Sequence, residues 1–358
     1  MRLCFICSIV KWAVNPRRWV NYFVEKGYDV HVIGHGEVDI PGAKMHHLTT
    51  ISKVNFITGP IQTRRIIRKI KPDIVHALGV TPFGFYGALS GFHPFIVSAW
   101  GSDIAEIPDR SPILGWIVRH TLKKADLICV QDPLSGKRVQ ELGGEKDKIK
   151  VHRWGVDLTK FSPDRKSEKW RKKLQKVNGP VVIILCNIEK DFTELFLKAM
   201  ELKEFSNVNF IIIRNEELKK KLDWRENFQF AHRIPHKEIQ FYIANSDLFI
   251  DPYHPKKIDE IGHTYGMALL EAMACGTATL AAERPTITML KGQDKWYFGA
   301  TYKPDDPSDF VEKLNGLLES REKREKIIKR NLEIIRKRFE WEKNIEEIEK
   351  LYRELKPS

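Results

Sequence analysis

Apolar residues along this 358-residue chain occur in short runs, and these alternate with longer segments in which apolar positions recur every three or four residues. The short runs are typical of strands buried on both faces, and the longer segments of amphipathic helices. This alternation predicts an α/β protein whose sheets are mostly parallel and covered by helices on both sides. Strands are predicted at residues 3–9, 29–33, 73–77, 95–98, 127–130, 181–185, 208–213, 228–230, 248–250 and 277–281. Helices are predicted between them, among others at residues 17–26, 61–70 and 114–124.

The pattern is interrupted once, by a polar, strand-free stretch at residues 162–179, and then restarts. A chain of this length exceeds what one hydrophobic core usually supports. We therefore predict two doubly wound domains, residues 1–165 and 166–339, joined by that stretch as a linker. The last helical segment, residues 340–358, is expected to pack back onto the first domain. Two such domains would form a cleft where the strands end, and ligands bind at strand ends of this kind.

The net charge of +13 is unevenly distributed, because residues 1–160 hold 23 Lys and Arg against 14 Asp and Glu. A basic first half attracts nucleic acid, anionic lipid or an acidic substrate. Abundant Lys and Glu are equally typical of a heat-adapted surface, which would say little about partners. No apolar run is long enough to span a bilayer.

Five cysteines lie at positions 4, 7, 129, 186 and 275. Cys4 and Cys7 form a C-x-x-C pair, but no second pair or nearby His completes a zinc site. The first residues include a basic residue and an apolar run without a small-residue cleavage site, which favours a core strand over a signal peptide. We expect buried thiols in a reducing compartment and hence a cytoplasmic protein.

The most informative segment is HTYGMALLEAMACGT, residues 263–277. It places a small-residue turn containing Tyr265 and Gly266 directly before an apolar helix. A helix N-terminus presents unpaired N–H groups that bind phosphate. Glu271 lies about one and a half turns further on, where its carboxylate is able to accept hydrogen bonds from sugar hydroxyls. Phosphate and ribose together indicate a nucleotide; the alternative is a buried amphipathic helix after a glycine turn.

Seven segments spread over the chain resemble, in this order, the retaining GT-B glycosyltransferases of family 4. They read KPDIVH at 71–76, IVSAWGSDI at 96–104, KADLICVQ at 124–131, KVHRWGVDLTKFSP at 150–163, ANSDLFIDP at 244–252, LLEAMACGT at 269–277 and FEWEKNIEEIEKLY at 339–352. The resemblance implies the GT-B fold, in which two Rossmann-like domains face each other across a cleft. It also implies a nucleotide-diphosphate sugar as donor, held by the second domain, an acceptor held by the first, and neither cofactor nor obligatory metal.

The same resemblance assigns roles in the donor site. Glu271 is expected to bind the nucleotide ribose. The backbone N–H groups of Gly266, Met267 and Ala268 are expected to face the diphosphate and the sugar. The base is expected against the loop at residues 232–235, through Ile234 and Arg233, although Arg233 is equally consistent with a solvent-facing position.

Two departures from the family pattern affect the donor site. His263 stands where the family has a glutamate eight positions before Glu271, and an imidazole accepts at most one hydrogen bond from the donor sugar. Either His263 binds the donor sugar in place of that glutamate, Glu260 does so, the sugar is held differently, or the activity is weakened. The cations that neutralise the departing diphosphate are also altered, because Asn187 occupies the usual Arg position. Lys190 is the remaining candidate, as an alternative to an exposed loop lysine, and Arg214 at a strand end is a second cation.

On the acceptor side, Trp100 replaces the His often found before Gly101, while Asp103 is kept. Asp103 either orients an acceptor hydroxyl or caps the following turn. Trp12 and Arg17 lie in a segment that has two tryptophans among cations, a composition typical of contact with lipid or an anionic substrate. The basic cluster at residues 64–71 would extend that surface. The alternative is a set of solvated helix faces around one buried tryptophan.

The sequence therefore predicts a retaining hexosyltransferase whose acceptor is a glycan or a lipid-linked molecule, with peripheral contact to an anionic membrane at its inner face. The sequence shows no pair of carboxylates that would serve as the nucleophile and the acid of a double displacement. We therefore expect the protein to act by positioning the reactants and by preorganised charge. A catalytically weakened sugar-nucleotide or glycan-binding protein and an epimerase of the same fold stay open. Nucleic acid is not an expected partner, because no binding motif accompanies the basic charge.

Overall fold

The computed structural model describes residues 1–8, 14–36, 39–49, 55–185, 190–252, 266–285, 287–288 and 299–356, with the backbone alone at residues 14, 55, 190 and 191. The chain forms two compact units, which confirms the prediction of two doubly wound domains. The first contains residues 1–154 together with the last helix from Asn344 onward. The second contains the described residues from Gly155 to Lys343.

The first unit is built on a parallel sheet with the strand order β3-β2-β1-β4-β5-β6-β7. Its strands are β1 Arg2–Ile6, β2 Asp29–Gly34, β3 Lys44–His47, β4 Ile74–Leu78, β5 Phe95–Ser98, β6 Leu127–Val130 and β7 Ile149–Val151. Its helices are α1 Val14–Glu25, α2 Asn55–Ile70, α3 Phe85–Ser90, α4 Ser102–Ala105, α5 Ile107–Arg110, α6 Pro112–Lys124 and α7 Pro133–Glu141.

The second unit repeats this architecture with the strand order β10-β9-β8-β11-β12-β13. The strands are β8 Val181–Leu185, β9 Asn209–Ile213, β10 Phe228–Ala231, β11 Leu248–Asp251, β12 Ala278–Ala282 and β13 Ala300–Tyr302. The helices are α8 Glu168–Leu174, α9 Lys190–Leu202, α10 Glu216–Leu222, α11 Ile239–Ala244, α12 Met267–Ala274, α13 Pro307–Glu319 and α14 Arg321–Arg338. The last helix of the chain, α15 Trp341–Leu355, begins in the second unit and continues into the first. In β8, Val181 and Ile183 pack into one core, whereas Val182 and Ile184 pack into another on the opposite face. Continuous apolar strands are therefore explained by burial on both faces.

Most predicted strands agree with the structure to within one or two residues, and 95–98, 127–130 and 181–185 are reproduced as predicted. Helix α2 differs, because it begins at Asn55 rather than at residue 61 and continues through Pro60. Gly59 and Pro60 are buried, and a Cβ on Gly59 would lie 2.5 Å from the Tyr86 ring of α3. Tertiary packing thus extends a helix across two residues with low helix propensity.

The stretch at residues 162–179 is not an isolated linker. It contains α8, and Arg171 of that helix pairs with Asp247 of the second unit at 2.7 Å. The second unit begins at Gly155 rather than at residue 166. The reason is a β-bridge near the start of this unit. The Val156 N–H donates to the Phe339 carbonyl at 2.7 Å, and the Trp341 N–H donates to the Val156 carbonyl at 3.1 Å.

From Asn344 onward, α15 packs into the first unit, as the sequence predicts for this segment. Tyr352 is buried there, accepts a hydrogen bond from Trp19 Nε1 at 3.4 Å and bonds His76 Nδ1. His76 Nε2 is in turn 2.8 Å from Ser98 Oγ of β5. Because one aromatic side chain of α15 joins helix α1 to the centre of the sheet, this part of the helix belongs to the first unit's core.

Candidate functional site

The carboxyl edge of the second sheet gathers most of the predicted donor-site residues. All its strands are parallel, so their carboxyl ends lie along one edge. The order reverses between β8 and β11, which is the topological switch point where open α/β sheets bind ligands. Helix α9 follows β8 and helix α12 is the next described helix after β11, so the N-termini of both helices lie near that switch point.

Helix α12 begins after Gly266, whose φ of 50° lies in the region that favours glycine. The Gly266 carbonyl accepts the Leu269 N–H at 3.1 Å. Within the described part of the chain, the N–H groups of Met267 and Ala268 donate to no acceptor, and both residues are half-buried. Two partly exposed donors at the positive end of a helix are suited to bind a phosphate.

Glu271 is half-buried and lies one turn before the buried Cys275. The two residues are close enough for the carboxylate to contribute to the raised pKa of the Cys275 thiol, after the larger effect of burial. The predicted spacing between Gly266 and Glu271 is thus present on a regular helix, with the acid only partly covered.

Sequence reasoning missed a buried cation beside this helix start. Arg284 follows β12, its side chain is 1% exposed, and its Nη2 lies 2.7 Å from Oδ2 of Asp251, the last residue of β11. A Cβ built on Gly266 would lie 3.9 Å from the same Nη2 atom. The sequence did contain a signal for this buried pair. Asp251 and Arg284 are charged residues at the ends of apolar runs, where a buried strand stops.

The other predicted donor residues lie at neighbouring strand ends. Arg214 directly follows β9, is exposed and has a φ of 63°. Arg233 and Ile234 follow β10; Arg233 is exposed, as its solvent-facing alternative requires, whereas Ile234 is half-buried and packs on the core that contains α12. Since β9 and β10 are the outer strands on one side, these residues lie along the same edge as α12.

Several predicted residues lie outside the described part of the chain. These are Trp12, Asn187, Glu260, His263 and Tyr265. For Lys190 the backbone is described, and it starts α9 at the switch point. Its position along the chain therefore agrees with a role near the diphosphate, and its role stays a prediction.

Asp103 organises the loops at the carboxyl edge of the first sheet. Its carboxylate is 5% exposed and accepts the N–H groups of Val80 at 2.8 Å, Trp100 at 2.8 Å and Gly101 at 2.9 Å. Burial raises the pKa of this carboxyl, and the backbone donors oppose that rise. The turn-capping alternative accounts for these contacts, so Asp103 positions the loop that carries Trp100.

Trp100 and Gly101 form the turn of that loop. Gly101 is buried and has a φ of 113°, and Trp100 is half-buried with its ring centre 4.7 Å from that of Trp154 in an edge-on arrangement. The Trp100 Nε1–H is buried and has no acceptor among the described residues. The exposed part of a half-buried indole is chemically suited to the apolar face of a sugar.

Trp19 corrects the prediction of a tryptophan-bearing surface. It is 2% exposed and bonds Tyr352, so it is a core residue rather than part of a lipid-contacting or anion-contacting surface. Arg17 in the same helix is half-buried. The alternative of one buried tryptophan holds for Trp19, whereas the role of Trp12 and Arg17 stays a prediction.

Two family models match the chain in succession. Residues 3–132 match a model described as Glycosyl transferase 4-like, and residues 166–334 match one described as Glycosyl transferases group 1. The chain belongs to the group 1 glycosyltransferases. Among curated relatives of this family, the sulfoquinovosyl transferase SQD2 of Arabidopsis thaliana is 28% identical over 294 residues, which is 77% of this chain. This chain spans 55% of the length of that relative.

Solved structures identify the fold of this group 1 glycosyltransferase as GT-B. Sucrose-phosphate synthase from Thermosynechococcus elongatus superposes with a TM-score of 0.77 at 15% identity, covering 99% of each chain. HepE of Anabaena, solved in complex with UDP and glucose, superposes with a TM-score of 0.75 at 15% identity, covering 99% of this chain and 100% of HepE. The predicted fold is thereby confirmed.

The described cysteines of this group 1 glycosyltransferase are buried thiols. Cys4, Cys7, Cys129 and Cys275 are free and buried, and burial raises the pKa of Cys7 and of Cys129 to about 12. Among the described residues, no cluster of three or more His, Cys, Asp or Glu is arranged to hold a metal ion. The described helices include none with the length and apolar character needed to cross a bilayer.

Proposed function

We propose that this chain transfers a hexose from a nucleotide-diphosphate sugar to an acceptor hydroxyl with retention of the anomeric configuration. The observation that carries the proposal is the start of α12. Two N–H donors without a described acceptor and the buried guanidinium of Arg284 lie at the start of this helix, and the half-buried Glu271 follows one turn further along it. Donors and a cation suit a diphosphate, and the acid suits a ribose.

The proposed reaction breaks the bond between the anomeric carbon and the diphosphate oxygen, and forms one between that carbon and the acceptor oxygen. Attack from the face that the diphosphate leaves preserves the configuration, and a phosphate oxygen takes the acceptor proton. The protein contributes by holding both reactants and by stabilising charge on the departing oxygen. The N–H groups of Met267 and Ala268, Arg284 and Lys190 are the proposed sources of that stabilisation, without a metal.

The acceptor is proposed to bind near Trp100 and Gly101, whose loop is held by Asp103. A glycan or a lipid-linked sugar fits a half-buried indole, which offers an apolar surface to a sugar ring. UDP-glucose is the first donor to test, since HepE, which shares the fold, binds UDP and glucose. We propose that the reaction takes place at the cytoplasmic side of a membrane.

A donor screen tests the proposal. The protein is incubated with UDP-, GDP- and ADP-hexoses, with and without simple glycoside acceptors, in buffer containing EDTA. We expect one nucleotide to raise the melting temperature, slow release of free nucleotide without acceptor, and a product whose NMR coupling constants match the donor anomer. Binding without release of nucleotide would instead indicate a sugar-nucleotide-binding protein, and an inverted anomer would exclude the retaining mechanism.

A further inference from the structure

Three neighbouring helices of the first unit carry an exposed apolar surface. Of the nine large apolar side chains that are exposed in the described part of the chain, six lie on α2, α3 and α6. They are Phe56, Ile57, Ile61, Leu89, Ile113 and Trp116, and we call them the apolar face. Isolated exposed apolar residues are normal in soluble proteins, but a group on adjacent helices marks an interaction surface.

The residues of the apolar face are brought together by α3, which packs against both α2 and α6. The Phe85 ring of α3 lies 6.2 Å from the Phe56 ring and 6.0 Å from the Trp116 ring. The absence of a side chain at Gly59 allows α2 to lie directly on the Tyr86 ring. The surface therefore continues from α2 across α3 to α6.

The same three helices contain seven Lys and Arg residues and not a single Asp or Glu. All seven are exposed, and none forms an ion pair with a described residue. They are Arg64, Arg65, Arg68, Lys69, Arg119, Lys123 and Lys124. Their charge thus has no ion-pair partner among the described residues, and it accompanies the apolar face along both α2 and α6. In α2, Ile57, Ile61 and Arg64 follow one another at spacings of four and three residues, so they share one side of the helix.

We propose that the apolar face docks onto the surface of an anionic lipid bilayer. A bilayer interface supplies both things that the surface lacks, hydrocarbon for Ile57, Ile61 and Trp116 and phosphate groups for the surrounding cations. Indole rings are favoured at that interface, and Arg and Lys extend their charged ends toward the headgroups. An acidic protein partner would match the charge, but it would need an apolar surface beside its acidic groups to cover Ile57, Ile61 and Trp116.

Vesicle binding tests the inference, and it does so without measuring transfer activity. The purified chain is titrated with vesicles of phosphatidylcholine alone and of phosphatidylcholine with 30 mol% phosphatidylglycerol, at low and at physiological salt, and binding is followed by sedimentation and Trp fluorescence. We expect binding to the anionic vesicles only, weakened by salt, with a blue shift of the emission. Absence of binding to anionic vesicles at low salt would overturn the proposal.

Matched variants separate docking from adsorption by net charge. Ile61→Ser and Trp116→Ser are each expected to weaken vesicle binding about tenfold. Leu202→Ser and Trp224→Ser remove equally exposed apolar side chains of the second unit and are expected to leave it unchanged. Arg64→Gln/Arg65→Gln/Arg68→Gln should weaken binding about 100-fold, whereas Lys219→Gln/Lys220→Gln/Lys221→Gln, on α10, should have little effect.

Two outcomes of these variants contradict docking through the apolar face. Equal losses in the two charge variants, with no loss in Ile61→Ser and Trp116→Ser, would mean unspecific adsorption of a basic protein. A dimer in light scattering that Ile61→Ser dissociates, together with no vesicle binding by the parent, would mean that a second copy of the chain covers the surface. Circular dichroism and melting temperature establish that each exposed substitution leaves the fold intact.

Discussion

Glu271 and Gly266 are the residues whose arrangement follows most directly from local sequence. The glycine turn, the apolar helix and the acid five positions later can all be read in the sequence, and the helical repeat fixes how far apart they lie. This arrangement was therefore predictable without knowledge of the tertiary fold. Arg284 was not predictable in this way. Its burial depends on Asp251, 33 positions earlier, and on the pairing of two parallel strands that bring them together.

Replacing Glu271 tests the proposed ribose contact. Glu271→Ala should raise the Kd for UDP about 10- to 100-fold, because hydrogen bonds to a charged acceptor contribute about 1.5–3 kcal/mol. Glu271→Gln keeps an oxygen acceptor and should give an intermediate value. Isothermal titration calorimetry measures the change. If Glu271→Ala bound UDP as tightly as the parent protein, the ribose assignment would be wrong.

Replacing Arg284 tests whether its guanidinium stabilises the diphosphate or only the fold. Arg284→Gln should weaken UDP binding at least tenfold and also lower stability by about 3 kcal/mol, since it leaves the Asp251 carboxylate without this partner. The double variant Asp251→Asn/Arg284→Gln removes both charges and should recover much of the stability. We expect it to keep the weak UDP binding. Recovery of UDP affinity in the double variant would assign Arg284 a purely structural role.

At the scale of elements, the ten predicted strands were recognisable as apolar runs, whereas the edge strands β3, β7 and β13 were not predicted, because they are short and partly polar. The start of α2 was not predicted either. Pro60 marks a helix start in local sequence, whereas the packing of Gly59 against α3 accompanies a helix that begins at Asn55. Periodicity also predicted that α2 has an apolar side. It did not predict that Ile57 and Ile61 face solvent, because the repeat does not say which side meets the core.

The packing of α15 on the first sheet predicts a pH dependence of stability. His76 and His152 are buried near Trp19, and burial lowers the pKa of each to about 3. In the unfolded chain their pKa is about 6.5, so between pH 6.5 and 3 the unfolded state binds more protons. Stability is therefore complete above pH 6.5 and should fall below it, by at most about 1.4 kcal/mol per pH unit for each histidine.

Urea unfolding of the parent and of His152→Phe between pH 7.5 and 5 measures this effect. Phenylalanine fits a buried aromatic environment, and His152 forms no hydrogen bond through either ring nitrogen among the described residues. The variant should lose about half of the acid sensitivity. An unchanged slope in His152→Phe would mean that other groups control the acid sensitivity.

At the scale of the whole molecule, the number of units and their doubly wound topology followed from one interruption in the hydrophobic pattern. The boundary between the units did not follow from this pattern. The polar stretch lies at residues 162–179, whereas the second unit begins at Gly155, next to the hydrogen bonds of Val156. Val156 pairs with the segment around Phe339, and such a long-range bridge leaves little trace in local composition.

The contribution of Tyr352 to the first unit has a consequence for biosynthesis. The ribosome completes the first sheet long before it makes α15, and the second unit lies between them in the chain. Until then Trp19 and His76 lack their contacts with Tyr352. We therefore expect the nascent first unit to reach its final packing only after almost 200 further residues have been translated.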